Sequence, residues 1–563
     1  MEINHQKFDV AIIGAGIAGS SLGAILARQG LKVVLFESKS HPRFAIGESM
    51  ILETSETLRA MAELYDVPEL AYFSSEYYFS HIGTSHGVKR HFSYLYHNQG
   101  YEHNIQECFQ AVIPKQPYGH ELHLHRQDSD YFLTMTAIRY GVKVLQNTPV
   151  SNVDINSDGV EISTRNHQRF TADYVVDAGG FHSILAEKFN LRHQQLQTHS
   201  RAIFTHMINL PCYHQIEADR EQYGIPFPLS EGTLHHVFSG GWLWIIPFNN
   251  HANSTNPLCS VGLMLDPRQY PVQTNLTPEE EFYCFIENFP SIHKQLQQAK
   301  PVRDWTRTDR IQYSSKKVVG RRYCLLGHAA GFIDPLFSKG LYTSTTCASV
   351  LANLLIEAWQ TQNYAAEKFQ ALETLTLNFI QSNDQLVAHA YKSFSNYKTW
   401  SLYIVLWLLG AYSELLKLTM IRAKSKTRSQ YYAQLQQLKL VGGGFLEFDG
   451  LQQQVHGILD QFDLDSTLGI DQAVLEIRNL YRQTRWMPHQ FQEILRGKNH
   501  LPASKIRLTL LKKHGGFLGS GIYRTHFFGR SSLWSIVKLF FKEKLKYSLV
   551  RILFKRKLKG FES

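Results

Sequence analysis

The sequence predicts an α/β protein, and three observations carry that prediction. The run FDVAIIGAGIAGSSLGAILARQGLKVVLFES reads as a strand over residues 8–13, a glycine turn, a helix stopped at Gly30 and a second strand ending on Glu37. Another strand, glycine-rich turn and long apolar helix come far later, in RRYCLLGHAAGFIDPLFSKGLYTSTTCASVLANLLIEAW. Beyond about residue 371 the pattern is helical. Such strand–turn–helix units build Rossmann-type modules around a parallel sheet. At 563 residues the chain exceeds one ordinary core. We expect a nucleotide-binding module in two parts (1–200 and 301–370) and an inserted β-sheet module over 201–300 for the substrate. A helical region over 371–515 would cover the substrate, and a basic amphipathic tail would follow over 516–563.

The first glycine turn has a specific chemistry. Gly14 allows the sharp turn, Gly16 lets backbone approach a pyrophosphate, and Gly19 brings helix against strand. With Ala15 and Ala18 they open a helix whose free N–H groups hold phosphate oxygens. Glu37, 23 residues after Gly14, is placed to accept the hydroxyls of an adenosine ribose. A dinucleotide follows, either FAD or NAD.

Later segments choose between them. HPRFAIGES places Arg43 before a Gly47-Glu48-Ser49 turn, Arg126 ends a strand before a helix, and a further strand closes on Asp177 ahead of Gly179 and Gly180. In the late unit, His328 and Asp334 precede a helix start at Ser338, Lys339, Gly340 and Leu341, whose amides would face the pyrimidine edge of a flavin. NAD has no need of this distant half-site, so these residues are read as a cradle for FAD.

Composition narrows the class further. The net charge is +10, but nine cations against two carboxylates lie after residue 537, so the body is nearly neutral and carries no nucleic-acid footprint. Six scattered cysteines suit a reducing cytoplasm, and MEINHQKFDV lacks the features of an export signal. His120, His123 and His125 have no acidic or cysteine partner at metal-ligand spacing, so no metal is expected. The apolar run over residues 400–412 is short for a bilayer and reads as a buried helix roofing the substrate. The tail from Trp534 interleaves aromatic residues with lysines, suiting either a docked helix or a peripheral contact with an anionic membrane.

GGWLWIIPF, residues 240–248, sets Trp242, Trp244 and Ile246 on one face of a strand and Leu243 and Ile245 on the other. Together with the glycine turn, PRFAIGES, Arg126, VVDAGG and GFIDPLFSKG, this strand resembles the flavin-dependent halogenases over roughly the first two thirds of the chain. The resemblance implies FAD delivered reduced by a separate reductase, O₂, and chloride or bromide. Hypohalous acid would pass along a tunnel walled by Trp242 and Trp244 to a lysine that delivers halogen to an aromatic or apolar small molecule, free or tethered to a carrier protein. A flavin hydroxylase, a reductase of lipid-like double bonds similar to geranylgeranyl reductases, and a membrane-attached flavoprotein with a decayed site are the alternatives.

The sequence departs from that pattern in three places. The delivering lysine is expected in a strand over residues 73–80, FSSEYYFS, which contains none; the nearest, Lys89, reads as an exposed basic turn with Arg90. His328 stands where an aspartate is usual, bringing a pH-dependent charge. Lys339 stands where a small hydroxyl residue is usual; it either bends to solvent or places a cation, or a substitute amine, beside the flavin.

Overall fold

The computed structural model describes residues 7–501 except 117, 194, 218 and 219, together with 521–529 and scattered positions between 534 and 549. Lys7–Ile13 forms the centre of a parallel sheet, flanked by Val33–Phe36 on one side and Arg169–Asp177 on the other. Lys143–Leu145 and Tyr323–Leu325 extend it in parallel on either side. Val33–Phe36 is buried throughout, as in parallel strands covered on both faces. The register brings Ile13 beside Phe36 and Asp177, so the strand ends and the turns that leave them share one edge. In open α/β sheets, ligands bind beyond the carboxyl ends of the strands.

The second sheet is mainly antiparallel. Arg201–Ile208, Cys259–Leu265, Gly241–Pro247 and Thr233–Phe238 follow one another across it. His91–Tyr96 pairs in parallel with Thr233–Phe238, and Cys108–Val112 continues beyond it. The sheet expected over 201–300 therefore recruits strands from residues 91–112. Its faces divide as strand alternation requires: Trp242, Trp244 and Ile246 join the main core, and Leu243 and Ile245 a smaller one on the opposite side.

Tyr397–Lys424 closes the inner face. By length and composition this 28-residue helix could cross a membrane, longer than the apolar run suggested, yet 67% of its most apolar window is buried inside the fold. Trp400 and Trp407 set their edges against Tyr94, and Trp407 against Phe92, on the sheet. The buried helix expected over residues 400–412 is thus present. The strand expected over residues 73–80 is instead the helix Ser75–His81, with Ser74 at its N-cap and Glu76 in its first turn, where a carboxylate favours a helix start. Of the tail, Gly521–Phe528 is helical, with Tyr523 and Phe527 buried. The membrane contact expected of residues 534–563 falls mostly outside the described residues.

Candidate active site

The glycine turn is shaped for a phosphate. Gly14 has φ +105°, and a Cβ there would lie 2.5 Å from the Ala178 carbonyl oxygen; at Gly19 it would lie 2.1 Å from that of Gly14. At Gly16, the N-cap of Ile17–Arg28, a Cβ would meet only Arg43 Nη2, at 3.9 Å. The protein therefore leaves room at Gly16 but none at the other two positions, as a cradle for a pyrophosphate requires. Ala18 follows in the first turn of that helix. Glu37 is buried, accepting from the Ala15 amide at 3.1 Å and from Arg43 Nη2 at 3.0 Å. Burial alone would raise its pKa; Arg43 and the Lys39 and Ala15 amides outweigh burial and hold it below the usual range.

Arg126 begins a helix and reaches back. It forks onto Asp130 at 2.8 and 3.0 Å and donates to the carbonyls of Ile46 and Gly47 at 2.6 and 3.0 Å. It thus shapes the turn that ends in Ser49. Asp177 also shapes a turn: its oxygens accept from the Gly179 amide, Ser183 Oγ and the Leu185 amide at 2.7–3.0 Å.

The late half-site gathers around the start of Lys339–Thr361. A cavity is lined by His328, Asp334 and Gly340 among others. Burial, with Arg126 adding, pushes His328 down to about 4, so the imidazole is uncharged near neutrality rather than a switchable cation. Its buried Nε2 has no partner and lies 2.9 Å from where a Gly340 Cβ would be. That orphaned nitrogen, the open face at Gly16 and the buried acid Glu37 fit FAD. Burial raises Asp334 to about 6, although it accepts from Ser200 Oγ, the Leu336 amide and Tyr391 Oη. Leu341 packs partly buried against the core.

The Trp strand reaches this turn from behind. Trp242 Nε1 donates to Tyr391 Oη at 3.1 Å, and Tyr391 donates to Asp334 Oδ2 at 3.0 Å. Trp244 Nε1 donates to Ser260 Oγ at 3.1 Å. Both indoles are buried. Through Tyr391, Trp242 is tied to the Asp334 turn. The end of the same strand has a second task, because a Cβ on Gly87 would lie 2.3 Å from the Pro247 carbonyl oxygen, and Asn250 clamps both the N–H and the C=O of Val88 at 2.7 and 2.8 Å.

What this clamp holds in place is Lys89. The expectation of an exposed turn is overturned: Lys89 ends the strand Gly87–Lys89, is 0% exposed, and pairs across from Glu121. Its Nζ donates to Ser49 Oγ at 2.6 Å and Ser338 Oγ at 3.4 Å, and lies 3.4 Å from the centre of the Phe92 ring. Burial drives its pKa well below the lysine range, against the weaker pull of Glu121 and Glu53. Glu121 is itself raised to about 7 by burial. The sequence did hold a signal: VKRHFSYLY has strand formers on both sides of Lys89-Arg90 and no Gly, Pro, Asn or Asp to make a turn there.

Phe92 also walls an apolar cleft, with Leu52, Phe337, Trp407 and Tyr412. Lys339 lines it too and is 2% exposed, which rules out its bending to solvent. Its Nζ donates to Glu53 Oε1 at 3.0 Å and Glu414 Oε2 at 2.9 Å. Burial would lower its pKa, but the two carboxylates outweigh that and hold it raised, so it is a charged partner and no substitute amine. Among the described residues no group of three His, Cys, Asp or Glu is arranged to hold a metal; His123 instead bonds the Pro247 carbonyl and Thr233 Oγ1.

Known proteins resemble this chain in sequence and fold. The family model described as tryptophan halogenase matches residues 99–393, and one described as an NAD(P)-binding Rossmann-like domain matches 12–49. Monodechloroaminopyrrolnitrin halogenase PrnC of Pseudomonas fluorescens is 45% identical over 73% of this chain and 72% of its own. The tetracycline 7-halogenase of Kitasatospora aureofaciens is 42% identical over 71% and 73%. The crystal structure of halogenase PltM in complex with phloroglucinol and FAD superposes with TM-score 0.84 at 32% identity, covering 88% of this chain and 99% of that one. The hydroxylase, double-bond reductase and decayed-site alternatives give way to these matches. The chain belongs to the flavin-dependent tryptophan halogenase family and is an FAD-dependent halogenating enzyme.

Proposed function

We propose that Lys89 is the amine that carries the halogen, and that the apolar cleft beside it takes a free aromatic small molecule. One observation carries this reading: the Lys89 amine is bonded to Ser49 and Ser338, both at the FAD half-sites, while it rests on Phe92, which walls the cleft. FAD, delivered reduced by a separate reductase, supplies with O₂ the oxidising equivalents that turn chloride or bromide into hypohalous acid. Gly14, Gly16 and Glu37 would hold its adenosine diphosphate, and His328 and the amides of Ser338–Gly340 the ring end. Trp242 helps through Tyr391, by fixing the turn that carries Asp334.

The residues of the chain do the rest. A lysine with depressed pKa presents a free electron pair at neutral pH. Its nitrogen takes the halogen of hypohalous acid, an N–H bond is exchanged for N–halogen, and water leaves. The aromatic ring then attacks that halogen, C–H is replaced by C–halogen, and the amine regains its proton. Ser49 and Ser338 orient the nitrogen, and Phe92 keeps the junction dry.

A free substrate suits the apolar cleft and the two relatives above, whose names give small molecules; a carrier-protein chlorinase of Pseudomonas fluorescens is only 25% identical. The six free cysteines support a cytoplasmic setting. The test supplies reduced FAD, air and bromide to phenols, indoles and pyrroles and reads product masses. Brominated products are expected; oxygenated products alone would refute the reading.

A further inference from the structure

The wall of the cleft is apolar except at one end. Its phenol, Tyr412, donates to the Val112 carbonyl at 3.3 Å, which leaves Glu53 and Lys339 as the charged groups of the lining. Two carboxylates share that one ammonium, because Lys339 bridges Glu53 and Glu414. Glu414 stands behind the wall, accepting also from the Val441 amide at 2.9 Å. Glu53 is 5% exposed, and among the described residues only Lys339 bonds it, through Oε1, which leaves Oε2 with no donor. The cluster sets two carboxyl groups against one ammonium and meets the cleft through Glu53 and Lys339.

A carboxylate oxygen without a donor, at the end of an apolar slot, selects for an O–H or N–H. We propose that Glu53 is the specificity-determining anchor of the cleft: it accepts a hydrogen bond from the hydroxyl or ring N–H of a neutral, electron-rich aromatic substrate and turns away aromatic carboxylates. The proposal rests on the reading of this cleft as the substrate site. The bond has a chemical consequence as well. A hydroxyl or N–H leaning on a carboxylate pushes electron density into the ring, which then takes the halogen more readily as the C–H proton leaves and the N–halogen pair returns to nitrogen. Lys339 is the positioning residue that holds Glu53 in place.

The test pairs probes that differ by one donor: indole with N-methylindole, and phloroglucinol with its trimethyl ether. Binding to FAD-free protein is measured by calorimetry, and halogenation in parallel as kcat and KM. Wild type should bind the donor-bearing probe of at least one pair tenfold or more tightly, and E53Q should shrink that ratio to about twofold, chiefly through KM. E414Q is the control: it lowers the cluster charge equally and leaves the Glu53 carboxylate in the cleft, so the ratio should survive. Wild-type protein without preference in either pair, an unchanged ratio in E53Q, or equal loss in E414Q would overturn the proposal. A failure of the halogenase reading looks different, since no probe would then be halogenated by wild type whatever its binding.

Discussion

Replacing Lys89 with methionine separates the role of the amine from that of the fold. Methionine keeps the length and apolar volume of the lysine stem and removes a nitrogen whose burial is unfavourable. Neither serine is orphaned: Ser49 Oγ keeps Thr233 Oγ1 at 3.0 Å and Ser338 Oγ at 3.2 Å. K89M should therefore fold, take up FAD and melt no lower than wild type. What it loses is a nucleophile held within bonding distance of Ser49 beside the cleft. Positioning of this kind is worth roughly 7 kcal/mol or more. Free hypohalous acid reaching the substrate without help would recover part of that, so we expect halogenated product to fall about a thousandfold, about 4 kcal/mol. The assay follows halogenated product and oxidation of reduced FAD together; the first should collapse while the second continues. K89M that halogenates at more than about a tenth of the wild-type rate, with wild-type regiochemistry, would refute the reasoning. K89R should fail as completely, because a guanidinium stays protonated.

Other expectations follow from the same geometry. G16A should melt like wild type yet bind FAD at least tenfold more weakly, whereas G19A should lose stability even without FAD, because its Cβ would lie 2.1 Å from the Gly14 carbonyl oxygen; melting and flavin content of the two variants check this. K339M strands Glu53 and Glu414 inside the protein and should cost about 3–5 kcal/mol in urea unfolding. His91, His123, His235 and His236 are each pushed down to about 3 by burial. Because these folded-state values lie below the unfolded one near 6.5, their contribution is complete above pH 6.5 and lost as pH falls toward about 3. Each adds up to about 1.4 kcal/mol per pH unit across that window, and the urea midpoint should track it.

The nucleotide half was legible because its chemistry is local. A glycine turn needs φ beyond the reach of other residues, as at Gly14, and an acid at a strand end declares itself by spacing, as with Glu37. The faces of the Trp strand were legible too, since a period of two leaves no choice. Lys89 was hidden because what buries it comes from elsewhere: Asn250 and Pro247 clamp its strand, and Ser49 and Ser338 reach it from opposite ends of the sequence. Lys339 was misread for the same reason, its partners Glu53 and Glu414 lying 286 and 75 residues away. A charged residue in a sequence looks solvated until its partners are folded around it.

The most direct measurement looks for halogen on the lysine itself. Wild-type protein is given reduced FAD, air and bromide without aromatic substrate, quenched, digested and read by mass spectrometry. One bromine in place of one hydrogen on Lys89, absent in K89M and discharged when substrate is added, is the predicted result. Unmodified Lys89 in protein that still brominates substrate would contradict the account.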